Sequence, residues 1–120
     1  MMKTLYISDM DGTLLGNDSL VSPQSAAIIS ELSRQGALIT VATARTPATV
    51  DPLLASTYTR CPAIVMTGAA LWDREKRQLV NPQLFSPGSA AKIVERFRHA
   101  GLDPFIYTVA SPPHLDVYHG

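Results

Sequence analysis

Three short apolar runs alternate with two helix-like segments over the first 66 residues, and that alternation leaves few architectures open. Residues 5–7, 37–43 and 63–66 are short, apolar and β-favouring, as buried parallel strands are. Between the first two runs, Ser22-Pro23 opens a helix, with Ser as N-cap and Pro at the first helical position. Ile28, Ile29 and Leu32 supply its apolar face, and Gly36 stops it. Between the second and third runs, Thr46-Pro47 opens another helix that holds Val50, Leu53 and Leu54. Pro52 is awkward there: either the helix kinks, or its regular part starts late with Asp51 as cap. Strand, helix, strand, helix, strand at this spacing implies right-handed crossovers and an open parallel α/β sheet. Ligands of such sheets bind beyond the carboxyl ends of the strands. Asp9, Thr43 and Thr67 all fall at those ends.

The pattern changes after Gly68. Residues 69–73 and 78–80 flank the charged tip Arg74-Glu75-Lys76-Arg77, which reads as a hairpin with a solvated turn, substrate binding by the charges being the lesser reading. Ser86-Pro87 starts a third helix, with Ala90, Ile93, Val94 and Phe97 on one face and Gly101 at its end. Residues 105–109 read as a strand, Ser111-Pro112-Pro113 breaks it, and residues 115–118 read as one more. Near the start, Gly16-Asn17-Asp18 lies between two apolar stretches, so residues 14–21 read as a small hairpin flap.

The first strand runs out at Asp9-Met10-Asp11-Gly12-Thr13. Alternate residues of a strand face the same way, which aims Asp9 and Asp11 at one site and Met10 at the opposite side. Gly12 permits a sharp turn and leaves backbone N–H groups free to face an anion. Two acids, a turn of amides and the Thr13 hydroxyl make a compact set of groups for phosphate and a divalent metal. Two adjacent acids cannot both ionise freely, so one holds its proton for longer.

This segment resembles the first signature of the haloacid dehalogenase superfamily, Asp-x-Asp-Gly-Thr at the end of the first core strand, and Leu14-Leu15 extends the likeness to its Cof-type branch, subfamily IIB. The resemblance implies a Rossmann-like core with an inserted α/β cap. It implies that Asp9 is a nucleophile that takes up a phosphoryl group and that Asp11 is the general acid/base. It implies Mg²⁺, held by Asp9 and Asp11, with the amides of Met10 to Gly12 around the phosphate. The family's second signature is a Ser or Thr at the end of the next strand, and Thr43 fits it. Where the Cof-type branch has Thr-Gly-Arg, this chain has Thr43-Ala44-Arg45, and where it has Asn-Gly-Ala, this chain has Thr67-Gly68-Ala69. Arg45 reads equally as an ion-pair residue or a substrate contact, and Thr13, Thr67 and Gly68 as possible substrate contacts.

On this reading residues 1–80 are the N-terminal half of the core and residues 81–120 begin the cap. Two signatures that follow the cap in relatives, a Lys and a Gly-Asp-x-x-x-Asp-type segment, have no counterpart in these 120 residues. The chain therefore reads as the first half of a family member, with a core sheet that is incomplete and an activity that the 120 residues alone need not carry.

Ten basic and ten acidic residues cancel, which argues against nucleic acid as a main partner. Cys61 is the one cysteine, so no internal disulfide is available and a reducing cytosol fits best. It reads as a small buried hydrophobe. No apolar run is long enough to span a membrane, and no leader pattern precedes the first strand. His99, His114 and His119 have no metal-like spacing. No Gly-rich nucleotide loop occurs. The expected activity is hydrolysis of a small phosphorylated metabolite, a sugar phosphate among the options, through phospho-Asp9. The alternatives are a phosphomutase sharing the first signature and a non-catalytic fragment that self-associates or binds a partner through its incomplete sheet.

Overall fold

The computed structural model describes residues 3–109 and 115–118. The chain forms two compact units that divide between Asn81 and Pro82. The first unit holds a five-stranded sheet: β1 (Leu5–Asp9), β2 (Leu38–Ala42), β3 (Ala63–Val65), β4 (Ala70–Asp73) and β5 (Gln78–Val80), in that spatial order. Helices α1 (Pro23–Arg34) and α2 (Pro47–Leu53) make the first two crossovers. β1, β2 and β3 are parallel, and β4 and β5 continue the sheet antiparallel, so the expected hairpin joins the sheet instead of standing apart. The second unit holds α3 (Pro87–His99) and the antiparallel pair β6 (Ile106–Val109) and β7 (Leu115–Tyr118). Ser111-Pro112-Pro113, His114 and His119 lie outside the described residues.

The helix ends follow their sequence signals. Ser22 Oγ accepts a hydrogen bond from Ser25 N (3.1 Å), and Ser86 Oγ accepts one from Ser89 N (3.3 Å). At the end of α1, Gly36 takes φ +105°, and Ala37 N donates to Leu32 O (3.0 Å) while Gly36 N donates to Ser33 O (3.1 Å). That pair of bonds is a Schellman closure, which needs the left-handed glycine. α2 starts at Thr46-Pro47 and carries Pro52 inside. Asp51 is not its cap. Its carboxylate instead accepts from Trp72 Nε1 (2.9 Å) and from Arg77 Nη1 (2.9 Å), pinning the helix to β4 and to the turn beyond it.

The register sorts the sheet into two unlike faces. Ala63, Val65, Ala70, Trp72 and Leu79 lie opposite one another on one face, and all are buried, as is Val41 of β2. The Asp51–Trp72 bond places α2 on that side. Both crossovers step the same way across the sheet, and connections of one hand then put both helices on one face. The other face carries Leu5, Ile7, Ile64, Leu71 and Val80. Leu5 and Ile7 are each 51% exposed there; among the described residues β1 is an edge strand of the sheet, and α1 and α2 lie on the other face.

Three sequence expectations need correction. Residues 14–21 form no strand pair: Gly16 N donates to Leu20 O and Ser19 N to Gly16 O (both 2.9 Å), a compact turn with Ser19 at φ +60°. The third strand ends at Val65, since Met66 already takes φ +56° and leaves the extended region. Cys61 is only half-buried, in the loop before β3.

Candidate active site

β1 ends at Asp9, and the chain turns at once. Asp11 (φ −67°, ψ 124°) and Gly12 (φ 76°, ψ 2°) have the angles of a type II turn, whose third position calls for glycine. Leu15 N donates to Met10 O (2.9 Å), closing the loop on itself. Met10 is fully buried between two exposed acids, so the sequence-derived split of Asp9 and Asp11 from Met10 holds. Its physical origin differs in part. The strand stops at Asp9, and the turn, not strand alternation, presents Asp11. Asp9 Oδ1 accepts from Met10 N (2.8 Å). Gly12 and Thr13 are exposed on the turn.

β2 delivers the second group. Asp9 lies beside Ala42 in the register, which brings Thr43 next to the acid loop. Thr43 is buried. Its Oγ1 accepts from Arg45 N (3.1 Å), which leaves its O–H to donate elsewhere. Ala44, set against the glycine of the resembling Cof-type pattern, is not among the residues with positive φ, so the methyl costs this backbone nothing.

Arg45 is where sequence reasoning left two options, and the structure gives it a carboxylate. Its Nε donates to Asp11 Oδ2 (2.9 Å) and its Nη2 to Asp11 Oδ1 (2.7 Å), a bidentate pair. These hydrogen bonds hold the Asp11 carboxyl below the ordinary carboxylate range against a smaller opposing desolvation, and Asp11 raises the Arg45 pKa in return. The Arg45 pair therefore favours the ionised form of Asp11. Sequence proximity alone had suggested that one of the two acids holds its proton for longer.

The third strand end is strained. Met66, Thr67 and Gly68 take φ +56°, +57° and +89° in succession. The run is tied down by Met66 N donating to Arg45 O and Thr67 N donating to Thr43 O (both 3.0 Å). A β-branched residue in the left-handed region is an outlier, whereas asparagine enters it readily. Thr67→Asn is expected to stabilise the chain by about 1 kcal/mol. Urea unfolding checks this; an unchanged midpoint would mean the Thr67 backbone carries no such strain.

The three strand ends converge. An open cleft of about 630 Å³ is lined by Asp9, Thr43, Thr67 and Gly68, with Ile7, Ala42, Ala44 and Ile64 as its apolar side. Met10, Asp11, Gly12, Thr13 and Arg45 are not part of that lining. Asp11 is linked to it through Arg45, which bonds both Thr43 and the 66–68 turn. Mg²⁺ favours hard oxygen donors from one or two carboxylate residues and keeps several waters. Asp9 and Asp11 on an exposed turn meet that requirement in donor chemistry. Among the described residues, no group of three or more His, Cys, Asp or Glu converges, so the pair is a partial ligand set.

Comparisons with known proteins bear on the family and the fold. Residues 6–116 match the family described as haloacid dehalogenase-like hydrolase. A curated relative, the 5-amino-6-(5-phospho-D-ribitylamino)uracil phosphatase YcsE of Bacillus subtilis (strain 168), is 34% identical over 69 residues, which is 58% of this chain and 28% of that protein. Among solved structures, a haloacid dehalogenase-like hydrolase from B. subtilis matches 92% of this chain and 38% of its own, with a TM-score of 0.73 and 24% identity. BT1666 from Bacteroides thetaiotaomicron, described among phosphatases of the haloalkanoate (HAD) superfamily, matches 97% of this chain and 41% of its own, at 0.69 and 21%. At these identities the structural likeness concerns the fold. This chain spans less than half the length of each.

Proposed function

The chain belongs to the haloacid dehalogenase-like hydrolase family, and on that premise we propose that it carries the nucleophile half of a Mg²⁺-dependent phosphatase for small phosphorylated metabolites, sugar phosphates included. The supporting observation is the cleft that draws Asp9, Thr43, Thr67 and Gly68 from three strand ends, with an exposed second acid two residues beyond the first.

In this reading an Asp9 carboxylate oxygen attacks phosphorus, and the ester oxygen leaves with a proton from Asp11. Water then attacks the phospho-Asp9 intermediate while Asp11 takes its proton, releasing phosphate and restoring Asp9. The Thr43 O–H and the N–H groups of the 10–12 turn hold phosphoryl oxygens. Mg²⁺, held by the Asp9 carboxylate and the Asp11 main chain, would neutralise phosphoryl charge when bound. Asp11 cannot accept both Arg45 bonds and also carry a proton for the leaving group. Arg45 accordingly exchanges Asp11 for the incoming phosphoryl oxygens, which frees Asp11 to protonate. Residues 81–120 belong to an inserted cap, and the protein works in the cytoplasm. No helix among the described residues is long and apolar enough to cross a membrane.

The test is hydrolysis of a chromogenic phosphate monoester with Mg²⁺ and then with excess chelator. Chelation is expected to lower the rate by about 100-fold or more, as removal of a charge-neutralising metal should. Equal rates in both conditions would overturn the metal assignment. A second reading, self-association of a non-catalytic chain, draws on the uncovered face and free edge of β1. It predicts concentration-dependent size in the absence of any turnover.

A further inference from the structure

A second cavity lies at the other end of the sheet from the acid pair. The loop from Ala55 to Pro62, which enters β3, and the turn at Asp73 to Glu75, which leaves the antiparallel β4, enclose about 580 Å³. Three arginines line it: Arg34, Arg60 and Arg74.

Arg74 was expected in a solvated turn, but it folds inward and is half-buried. Its Nη1 donates to Thr57 O and Thr59 Oγ1 (both 3.0 Å), and its Nη2 donates to Leu54 O (2.6 Å). All three acceptors are neutral. Burial pulls its pKa down, and Asp51 opposes this only at longer range. Among the described residues no anion contacts this half-buried cation, so its charge is only partly offset. Two polar groups in the same wall have no partner: Arg74 Nε, and the hydroxyl of Thr57, a residue only 3% exposed.

The surroundings point the same way. Arg60 is exposed and makes no hydrogen bond or ion pair among the described residues. Arg34 lies over the Tyr58 ring, 5.8 Å from its centroid, and its 3.8 Å pair with Glu31 is open to solvent and weak. An adjoining recess shares Arg34, Tyr58 and Arg60, and it adds the buried, unpartnered Ser33 hydroxyl. Asp73 and Glu75 also line the cavity, but Asp73 Oδ1 is committed to Glu75 N (3.1 Å) and Lys76 N (3.0 Å).

We propose that this cavity binds a phosphate-class oxyanion, with the Arg60 guanidinium as its donor and Arg34 and Arg74 as flanking positive charge. The uncommitted Arg60 fork matches the oxygens of such an ion bidentately. The site is separate from the acid pair and does not depend on the activity proposed above.

Inorganic phosphate is titrated into the chain at constant ionic strength with chelator present, and backbone amide shifts are followed by NMR. Saturable shifts are expected in residues 55–62 and 73–75. Arg60→Gln, at an exposed side chain with no structural partner, is expected to weaken binding about tenfold or more, and Asp9→Asn to leave it unchanged. The proposal fails if no saturable shift appears at 50-fold excess over about 1 mM, if Arg60→Gln binds as wild type does, or if the shifts fall on residues 9–13 and 43–45 and vanish in Asp9→Asn.

Discussion

Asp9→Asn is expected to lower kcat for phosphate-ester hydrolysis by about 10⁴-fold or more in a protein that carries this chain and turns over, as loss of a covalent nucleophile does. The substitution is clean in structural terms. Asp9 is exposed, and its Oδ1 accepts one hydrogen bond from Met10 N. An asparagine Oδ1 can accept the same bond, so the turn beyond it keeps its shape. The amide oxygen is far less nucleophilic and cannot form a phospho-enzyme that water then resolves. Unfolding midpoints measured beside the kinetics separate lost chemistry from lost fold. A variant that is stable yet retains more than about 1% of wild-type kcat would move the nucleophile elsewhere.

Met10→Ala is expected to destabilise the first unit by about 2–5 kcal/mol, the usual cost of emptying a fully buried methionine site. Met10 has no exposed surface and sits between the two acids. Its side chain is thus the anchor that holds the loop against the core, and the acids face solvent because it does not. The loss would be a large fraction of the roughly 5–15 kcal/mol that holds a domain folded. Met10→Leu keeps most of the volume and is expected to cost less than about 1.5 kcal/mol. Denaturant unfolding of the two variants side by side checks this. Equal midpoints for Met10→Ala and wild type would mean that other side chains hold the loop.

The order of strands and helices was legible because each helix start bears its own Ser-Pro or Thr-Pro mark and each strand is a short apolar run. The turn at Asp11-Gly12 was legible for the same local reason. What could not be read involves partners far apart in the chain. The Asp11–Arg45 pair spans 34 positions and exists because β1 and β2 are neighbours. The same holds for Asp51, offered as a helix cap in one of two readings and found holding Trp72 and Arg77. Arg74 reads as solvated in a run of four charges, and only the loop from Leu54 to Thr59 folding over it reveals the burial. The left-handed Thr67 carried a faint signal, the replacement of the asparagine that the resembling family places there. The supposed flap failed because Leu15 turns into the core while Leu20 stays exposed, so the two apolar stretches form no cross-strand pair to hold a ladder together.

The strands of the first unit stand in space in the order in which they occur in the chain. Each new strand therefore pairs with the strand made just before it, and no pairing waits for a distant segment to arrive. During synthesis from the N-terminus, β2 can seat on β1 once α1 has formed, then β3 on β2, with the β4–β5 hairpin closing last over a short turn. Loop-closure entropy stays small at every step. A sheet of this kind can grow on the ribosome at the pace of translation.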